Sequence, residues 1–382
     1  KFNHLIIKKT KEINQKLSLE IKDVFVKLDL RKKSIKINTK DIIINIDDDF
    51  IELSEIDIDL DLIKFINKDQ FIKKIKVISK ENSIKRTTSF LNAYSFSLPR
   101  LIIYNQIEKG TVKAIANIVF EKKSQKEFKL EVIGEVNDGK LNILNKNKIN
   151  NINFNFSVNN ELFNFENINF EYDLINFKSK KITVNNIGKN FEIEGDLNNK
   201  KAFIKPKLIS KLFNLNFEFL ENKPIIASSE NNFSFIFNSK RSIKDIKFKS
   251  KINFDKIYFS KHPQNIIFLQ NGNINTNYSN KNLNVKIDSK YSFLNKKYNS
   301  VKKDNIKINI AKNNNQDIKV ESYIKNKKNT INSKELSNLF KFDKITVKDQ
   351  DITFGSDNKI TFDIDKNKKI KNLKINSKIN LE

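Results

Sequence analysis

The 382-residue chain contains no Cys, no Met and no Trp, only two His and only 7 Gly and 4 Pro. Without Cys it holds no disulfide, no thiolate metal site and no Cys nucleophile. That absence leaves the redox compartment open. His4 and His262 are the only imidazoles and both have polar neighbours, so they read as surface residues. Two such histidines argue against a His-based triad and a His-rich metal centre. No Gly-rich phosphate loop is present. No run approaches the roughly 20 apolar residues of a membrane-spanning helix, and no secretory leader is legible. The chain starts at Lys1 and lacks an initiator Met, so it reads as a piece of a longer protein, with any anchor outside it.

Arginine is scarce too. It occurs only at Arg31, Arg86, Arg100 and Arg241, so nearly all of the 72 basic residues are Lys. The net charge of +27 invites a nucleic-acid reading. Arg, however, is the residue suited to bidentate recognition of phosphates and bases. The excess of Lys, Asn, Ile and Phe fits an AT-rich coding bias, and a solvated lysine surface is the favoured reading. The charge is uneven: 1–60 is neutral, 61–130 carries +9, 131–200 carries −2, 201–300 carries +12 and 301–382 carries +8. A basic half favours anionic head groups or plain solubility.

What the chain has in abundance is period-2 alternation, the mark of half-buried strands. Ile56, Ile58, Leu60 and Leu62 alternate with Asp57, Asp59 and Asp61. The same pattern recurs in Ile152–Val158, Ile168–Leu174, Leu215–Phe219, Phe233–Phe237, Ile274–Tyr278, Leu283–Ile287, Ile306–Ile310 and Ile360–Ile364. Each puts apolar groups on one sheet face and polar groups on the other. Asn137-Asp138-Gly139 reads as a hairpin turn between 131–136 and 140–144. Asn159-Asn160, Asp47-Asp48-Asp49 and Asn313-Asn314-Asn315 read as loops. The alternation slips phase near Asp23 and near Glu166-Asn167, which predicts β-bulges. Short helices are expected over Pro99–Lys109, Pro206–Asn214 and Lys334–Phe340, each needing the sheet for support. Long amphipathic helices between strands, which an α/β enzyme requires, are absent.

Two acidic runs raise a metal reading. Asp57-Ile58-Asp59-Leu60-Asp61 begins like a calcium loop, but Leu62 stands where Gly is needed and Lys68 where Glu is needed. It reads as the polar face of a strand, and Asp47-Asp48-Asp49 as a solvated turn. The 32 Phe and 8 Tyr carry more information. Nucleic-acid platforms expose aromatics among basic groups; here Phe alternates with Asn, Ser, Glu or Lys, the pattern of an inward face. That face is an ordinary core or a lipid-lined groove, and the pattern fits both.

From Leu98 to Lys200 the chain resembles the AsmA/YhdP-like group of bacterial envelope proteins. The resemblance rests on Leu98-Pro99-Arg100 opening a helix, then a strand from Gly110-Thr111-Val112-Lys113. The 129–144 hairpin follows, then paired strands at Ile152–Val158 and Leu162–Tyr172, closed by Lys181–Val184 and Phe191–Gly195. The flanks Leu19–Leu62 and Ser333–Ile364 look like the same strand repeats. The resemblance implies a long periplasmic β-groove, anchored in the inner membrane by a segment outside this stretch, along which phospholipid passes toward the outer membrane. It implies membranes at the two ends, other envelope proteins as possible partners, and no catalytic residue or cofactor.

The expected fold is therefore all-β: an extended antiparallel, curved, U-shaped sheet forming a groove, with a few short helices. Three segments are expected, 1–85 and 201–382 as strand repeats and 86–200 as the helix-and-hairpin unit. The candidate groove residues are Phe154, Phe156, Phe170, Phe217, Phe219, Phe233, Phe235, Phe237, Ile308 and Phe362. The expected role is non-catalytic, with phospholipid as ligand and neither metal nor nucleic acid as partner. The alternatives are a structural or adhesive β-repeat protein with a closed core and a basic nucleic-acid binder.

Overall fold

A computed structural model describes residues 7, 15–67, 72–94, 101, 104–121, 124–143, 147–159, 161–208, 220–238, 242–262, 265–295, 300–314, 316–334, 348–367 and 369–381. Among the described residues the chain is all-β, an open antiparallel sheet with a few short helices. In chain order the elements are β1 (Leu17–Asp29), β2 (Ser34–Ile46), β3 (Asp49–Asp61), α1 (Leu62–Ile66), β4 (Ile72–Ser79), β5 (Asn82–Ser83), α2 (Ile84–Tyr94), β6 (Ile107–Glu121), β7 (Ser124–Ile143), β8 (Asn147–Asn159), β9 (Leu162–Tyr172), β10 (Ile175–Ile187), β11 (Asn190–Ile204), β12 (Ile225–Asn238), β13 (Ile243–His262), β14 (Asn265–Ser279), β15 (Asn282–Asn295), β16 (Ser300–Lys312), β17 (Ile318–Asn332), β18 (Asp351–Ile364) and β19 (Ile370–Leu381).

The chain divides into two units, Lys1–Asp196 with Phe237–Arg241, and Leu197–Ile236 with Ser242–Glu382. The first unit is a meander in which each strand pairs with the next: β1 with β2, β2 with β3, β3 with β4, β4 with β6, and onward to β10. The short β5 adds a second partner to β6. The second unit repeats the meander from β13 to β19. Local chemistry sets the turns. Asp47 adopts a φ of 51° between β2 and β3. Asn159 Oδ1 accepts from the Glu161 and Leu162 amides before β9. Asp365 Oδ1 accepts from the Asn367 and Lys369 amides before β19.

Three expectations need correction. Asn137-Asp138-Gly139 is not a hairpin turn. It lies inside β7, where Asp138 takes φ 51° and the register with β8 shifts between Val136 and Gly139. A polar residue before Gly serves a bulge as well as a turn, because both need a left-handed backbone. The Asp138 amide donates to Asn153 Oδ1 at 3.0 Å, so the donor that the bulge frees is satisfied. The helix expected to Lys109 ends earlier: Tyr104–Gln106 is helical, but Ile107 is 4% exposed and already pairs with Leu141. Leu62, expected to close a strand, instead opens α1, because the Asp61 carboxylate accepts from the Ile63 and Lys64 amides and caps the turn.

Helix α2 was not expected at all, since Ile84, Thr87 and Thr88 read as strand formers. The threonine hydroxyls return hydrogen bonds to the Ser83 and Ile84 carbonyls, and Phe90 is buried. Ser89 Oγ donates to Asp49 Oδ2, which ties the helix to the start of β3. In the other expected helices Pro206–Leu208 and Lys334 are helical; 209–214 and 335–340 lie outside the described residues.

Candidate functional site

Antiparallel partners directly opposite share a sheet face, so the registers show which apolar residues form continuous rungs. In the first unit Leu28, Ile35 and Leu60 are opposite one another in β1, β2 and β3, and Val26, Ile37, Ile58 and Ile75 carry the next rung into β4. Ile75 faces Ile118 in β6, and Val77 faces Ala116. The face continues through Val132, Gly134 and Val136 in β7, Phe154, Phe156 and Val158 in β8, Phe163 and Phe165 in β9, and Ile182 and Val184 in β10. One apolar face thus crosses the unit from β1 to β10.

Most of this face is neither buried nor exposed. Ile58, Ile75, Ile118, Val132, Phe154, Phe156, Val158, Phe165 and Ile182 are all half-buried. Two residues of the same face, Leu60 and Val136, are buried, at 6% and 8% exposed. The aromatic residues pack laterally. Phe154 and Phe165 meet edge to face with centroids 5.7 Å apart, and Phe154 and Phe156 lie 6.3 Å apart. Such pairs contribute about 0.5–1.5 kcal/mol beyond area burial.

Phe156 also explains a glycine. Gly134 is directly opposite it, and a Cβ on Gly134 would come within 2.6 Å of the ring. The ring lies across the glycine backbone in place of a side chain. Gly272 and Phe254 repeat the arrangement in the second unit. A recess of about 430 Å³ opens at Gly134, lined by Ala114, Ile115, Ile133 and Phe156 among others, with Lys113, Glu135 and Glu166 around it.

In the second unit Ile252, Ile274, Ile287 and Ile308 form one rung across β13 to β16, and Ser322, Ile360 and Ile375 extend it to β19. The next rung is Val285, Ile310, Val320 and Phe362. A buried cluster of Ile225, Ala227, Phe254 and Leu269 has Ile252, Ile257, Ile274, Tyr291 and Ile306 packed against it. Ile252 and Phe254 are in one phase of β13 and Ile257 is in the other. The alternation therefore slips, yet both halves of the strand keep their apolar groups on one physical side. Left-handed residues mark these slips: Asp41, Asp138, Asn151 and Asn167 in the first unit, Asn271 and Asn372 in the second.

The slip expected near Asp23 leaves the β1–β2 register unbroken, because β2 slips at the same level at Asp41. The slip at Asn167 is matched by a register shift against β8. Asparagine does local work at such places. Asn231 Nδ2 donates to the Leu197 carbonyl, and Asn231 Oδ1 accepts from Ser250 Oγ at 2.7 Å.

One rung of the second unit is polar where its neighbours are apolar. Tyr291 faces Asp304 in β16, and Asn326 faces Ser356 in β18. The Tyr291 hydroxyl donates to Asn326 Oδ1, and Asn326 Nδ2 donates to Ser356 Oγ. Asp304 is 5% exposed and accepts from the Lys327 amide. Burial first, and the Asp304 charge second, push the Tyr291 hydroxyl up to about 12.

The opposite face is charged and carries cross-strand ion pairs. Lys307 pairs with Asp288 at 3.7 Å, Lys325 with Asp357 at 3.6 Å, and Lys359 with Glu321. A recess of about 890 Å³ there is lined by Lys307, Tyr323, Lys325, Asp357, Lys359 and Lys378 among others. Asp57, part of the acidic run, accepts from Asn38 Nδ2 at 2.6 Å on the same kind of face in the first unit. At the foot of β6, hydrogen bonds from Lys140 foremost, then Lys148 and Asn142, hold Glu108 at about 2.

The candidate residues fall as follows. Phe154 and Phe156 share the first unit's apolar face; Phe170 lies beyond the Asn167 slip, stacked on Phe177 at 5.4 Å. Phe233 and Phe235 stack at 6.1 Å, and these two and Phe237 are half-buried. Ile308 and Phe362 occupy adjacent rungs of the second unit. Phe217 and Phe219 lie outside the described residues. Alternation alone did not reveal Phe165, Phe177 and Gly134, because cross-strand register decides their role. Comparison with known proteins returned no matching family model, no matching curated protein and no matching solved structure.

Proposed function

We propose that the apolar face binds phospholipid through its acyl chains, and that the chain is a non-catalytic segment of a lipid-transfer bridge in a bacterial envelope. The observation that carries this reading is the continuous half-buried apolar face from β1 to β10. An acyl chain laid on such a face loses contact with water along its length. At about 0.8 kcal/mol per methylene, a dozen methylenes gain on the order of 10 kcal/mol. The gain is spread over many equivalent rungs, so no rung holds the chain tightly and movement along the face meets low barriers. The scarcity of arginine, with four against 68 lysines, argues against the nucleic-acid alternative. The periplasm, with membranes at the two ends of the longer protein, is the setting this role requires.

The test is mass spectrometry of the gently purified chain, together with uptake of a fluorescent phospholipid. Co-purified phospholipid of mixed head groups, exchangeable for the probe, is the expected result. A lipid-free chain that takes up no probe overturns the reading in favour of a dry-core structural protein.

A further inference from the structure

We propose that a tip of the first unit docks on an anionic membrane surface, its apolar side chains entering the bilayer and its cations meeting the head groups. Three elements finish together there. Asp29 faces Ser34 across the β1–β2 hairpin, and Ser34 faces Asp61 at the end of β3. The Leu62 amide donates to the Lys33 carbonyl at 3.0 Å, which ties helix α1 to the hairpin turn. The turn is held locally: the Lys33 amide donates to the Leu30 carbonyl, and Lys33 takes a φ of 47°. Leu30–Lys33 and Leu62–Ile66 therefore lie past the same ends of the paired strands.

The tip is apolar where it meets water. Leu30 is 70% exposed, Ile66 68% and Ile63 46%. Ile63 and Ile66 are three apart and share one side of the helical turn. Leu28 joins the tip to the rung of Leu28, Ile35 and Leu60, so the apolar face continues into it. Cations accompany these groups. Arg31, Lys32 and Lys33 fill the turn and are exposed. The neighbouring acids are engaged elsewhere: Asp29 accepts from the Lys32 amide, and Asp61 caps α1 and pairs with Lys73 at 3.3 Å. Among the described residues no carboxylate meets the side chains of Arg31, Lys32 or Lys33. Residues 1–60 carry no net charge, so the cluster is local and not a share of the chain's lysine excess. Exposed leucine and isoleucine beside unpaired cations match the polar boundary of a bilayer. Acyl chains take the apolar tips, anionic head groups take the charges, and the long basic stems lie along the apolar groups. The docking does not depend on acyl binding by the face, but it would set the first rungs of that face at a bilayer.

Cosedimentation of the whole chain with vesicles tests this, with circular dichroism to confirm that each variant is folded. The wild-type chain is expected to bind vesicles of phosphatidylglycerol and phosphatidylethanolamine, and to bind phosphatidylcholine vesicles far more weakly. Arg31→Gln with Lys32→Gln is expected to weaken binding by about fivefold for each charge removed. Lys307→Gln with Lys325→Gln removes the same charge from the second unit and is expected to change binding little. Leu30→Ser with Ile66→Ser alters no charge and is expected to weaken binding by about tenfold or more. The chain has no tryptophan of its own, so Ile66→Trp reports insertion. Its emission is expected to shift to the blue on vesicles and to be quenched by brominated acyl chains. Uptake of a soluble fluorescent phospholipid is expected to stay at the wild-type level in the tip variants. A chain that docks yet takes up no probe overturns the transfer reading alone. A wild-type chain that ignores anionic vesicles, equal losses from the two charge-removing variants, or an Ile66→Trp emission unmoved on bound vesicles each overturn the docking.

Discussion

Replacing Phe156 by Lys distinguishes an open apolar face from a sealed core. The ring is half-buried, lies over Gly134 and faces Phe165. Truncating a fully buried Phe costs about 3–5 kcal/mol. A half-buried ring forfeits roughly half of that, about 2 kcal/mol. On an open face the lysine stem lies along Val132 and Val158 while its ammonium reaches water, which recovers part of the loss. The net expectation is a folded variant destabilised by about 1–2 kcal/mol, measured by guanidinium unfolding followed by circular dichroism. Phe156→Leu, which keeps the face apolar, serves as control. Phospholipid retention is expected to fall in the Lys variant and to persist in the Leu variant. If the Lys variant loses more than about 4 kcal/mol while the Leu variant is native-like, the charge has entered a dry interior, and the open-face argument fails.

Asn167→Val is expected to cost about 1–2 kcal/mol, because a β-branched residue resists the φ of 54° there, whereas Asn167→Gly leaves stability nearly unchanged; thermal melts of both variants decide. Glu108 is depressed to about 2 from an ordinary 4.5, so its contribution is present above pH 4.5 and disappears as pH falls toward 2; Glu108→Gln is expected to flatten the acid limb of a stability profile over that window. Tyr291 is raised to about 12 from an ordinary 10, so its contribution is intact below pH 10 and lost as pH climbs toward 12. Tyr291→Phe is expected to remove the step near pH 12 from an ultraviolet tyrosinate titration, and persistence of that step would assign it elsewhere.

Much of the architecture was legible because its signal is local. Alternation at 152–158 or 306–310 needs no knowledge of the partner strand, Asn159 ends a strand through bonds to its own neighbours, and Asp47 does so by adopting a left-handed backbone. What failed was punctuation. Asn137-Asp138-Gly139 has turn chemistry, yet the strand runs through it, because a left-handed polar residue serves a bulge equally well. Helix α2 was hidden by its β-branched residues, and its stability rests on packing Phe90 rather than on propensity. The candidate face was legible as a set of alternating positions but not as a surface. That Phe156 meets Gly134 and Phe165, or that Ile308 joins Ile274 and Ile287, follows from register, which a single sequence does not encode in readable form.

The meander has a consequence for how the molecule folds and fails. Within each unit almost every strand touches only the strands before and after it in sequence, so the structure is a one-dimensional array of nearest-neighbour couplings. The chain segments that must meet are close along the polypeptide, which favours rapid local pairing despite the all-β content. Unfolding is expected to begin at a terminal hairpin and advance strand by strand, so hydrogen exchange should grade from the ends inward rather than report one global opening. The same arithmetic makes length cheap to change: inserting or deleting one hairpin disturbs two interfaces and leaves every other register as it was.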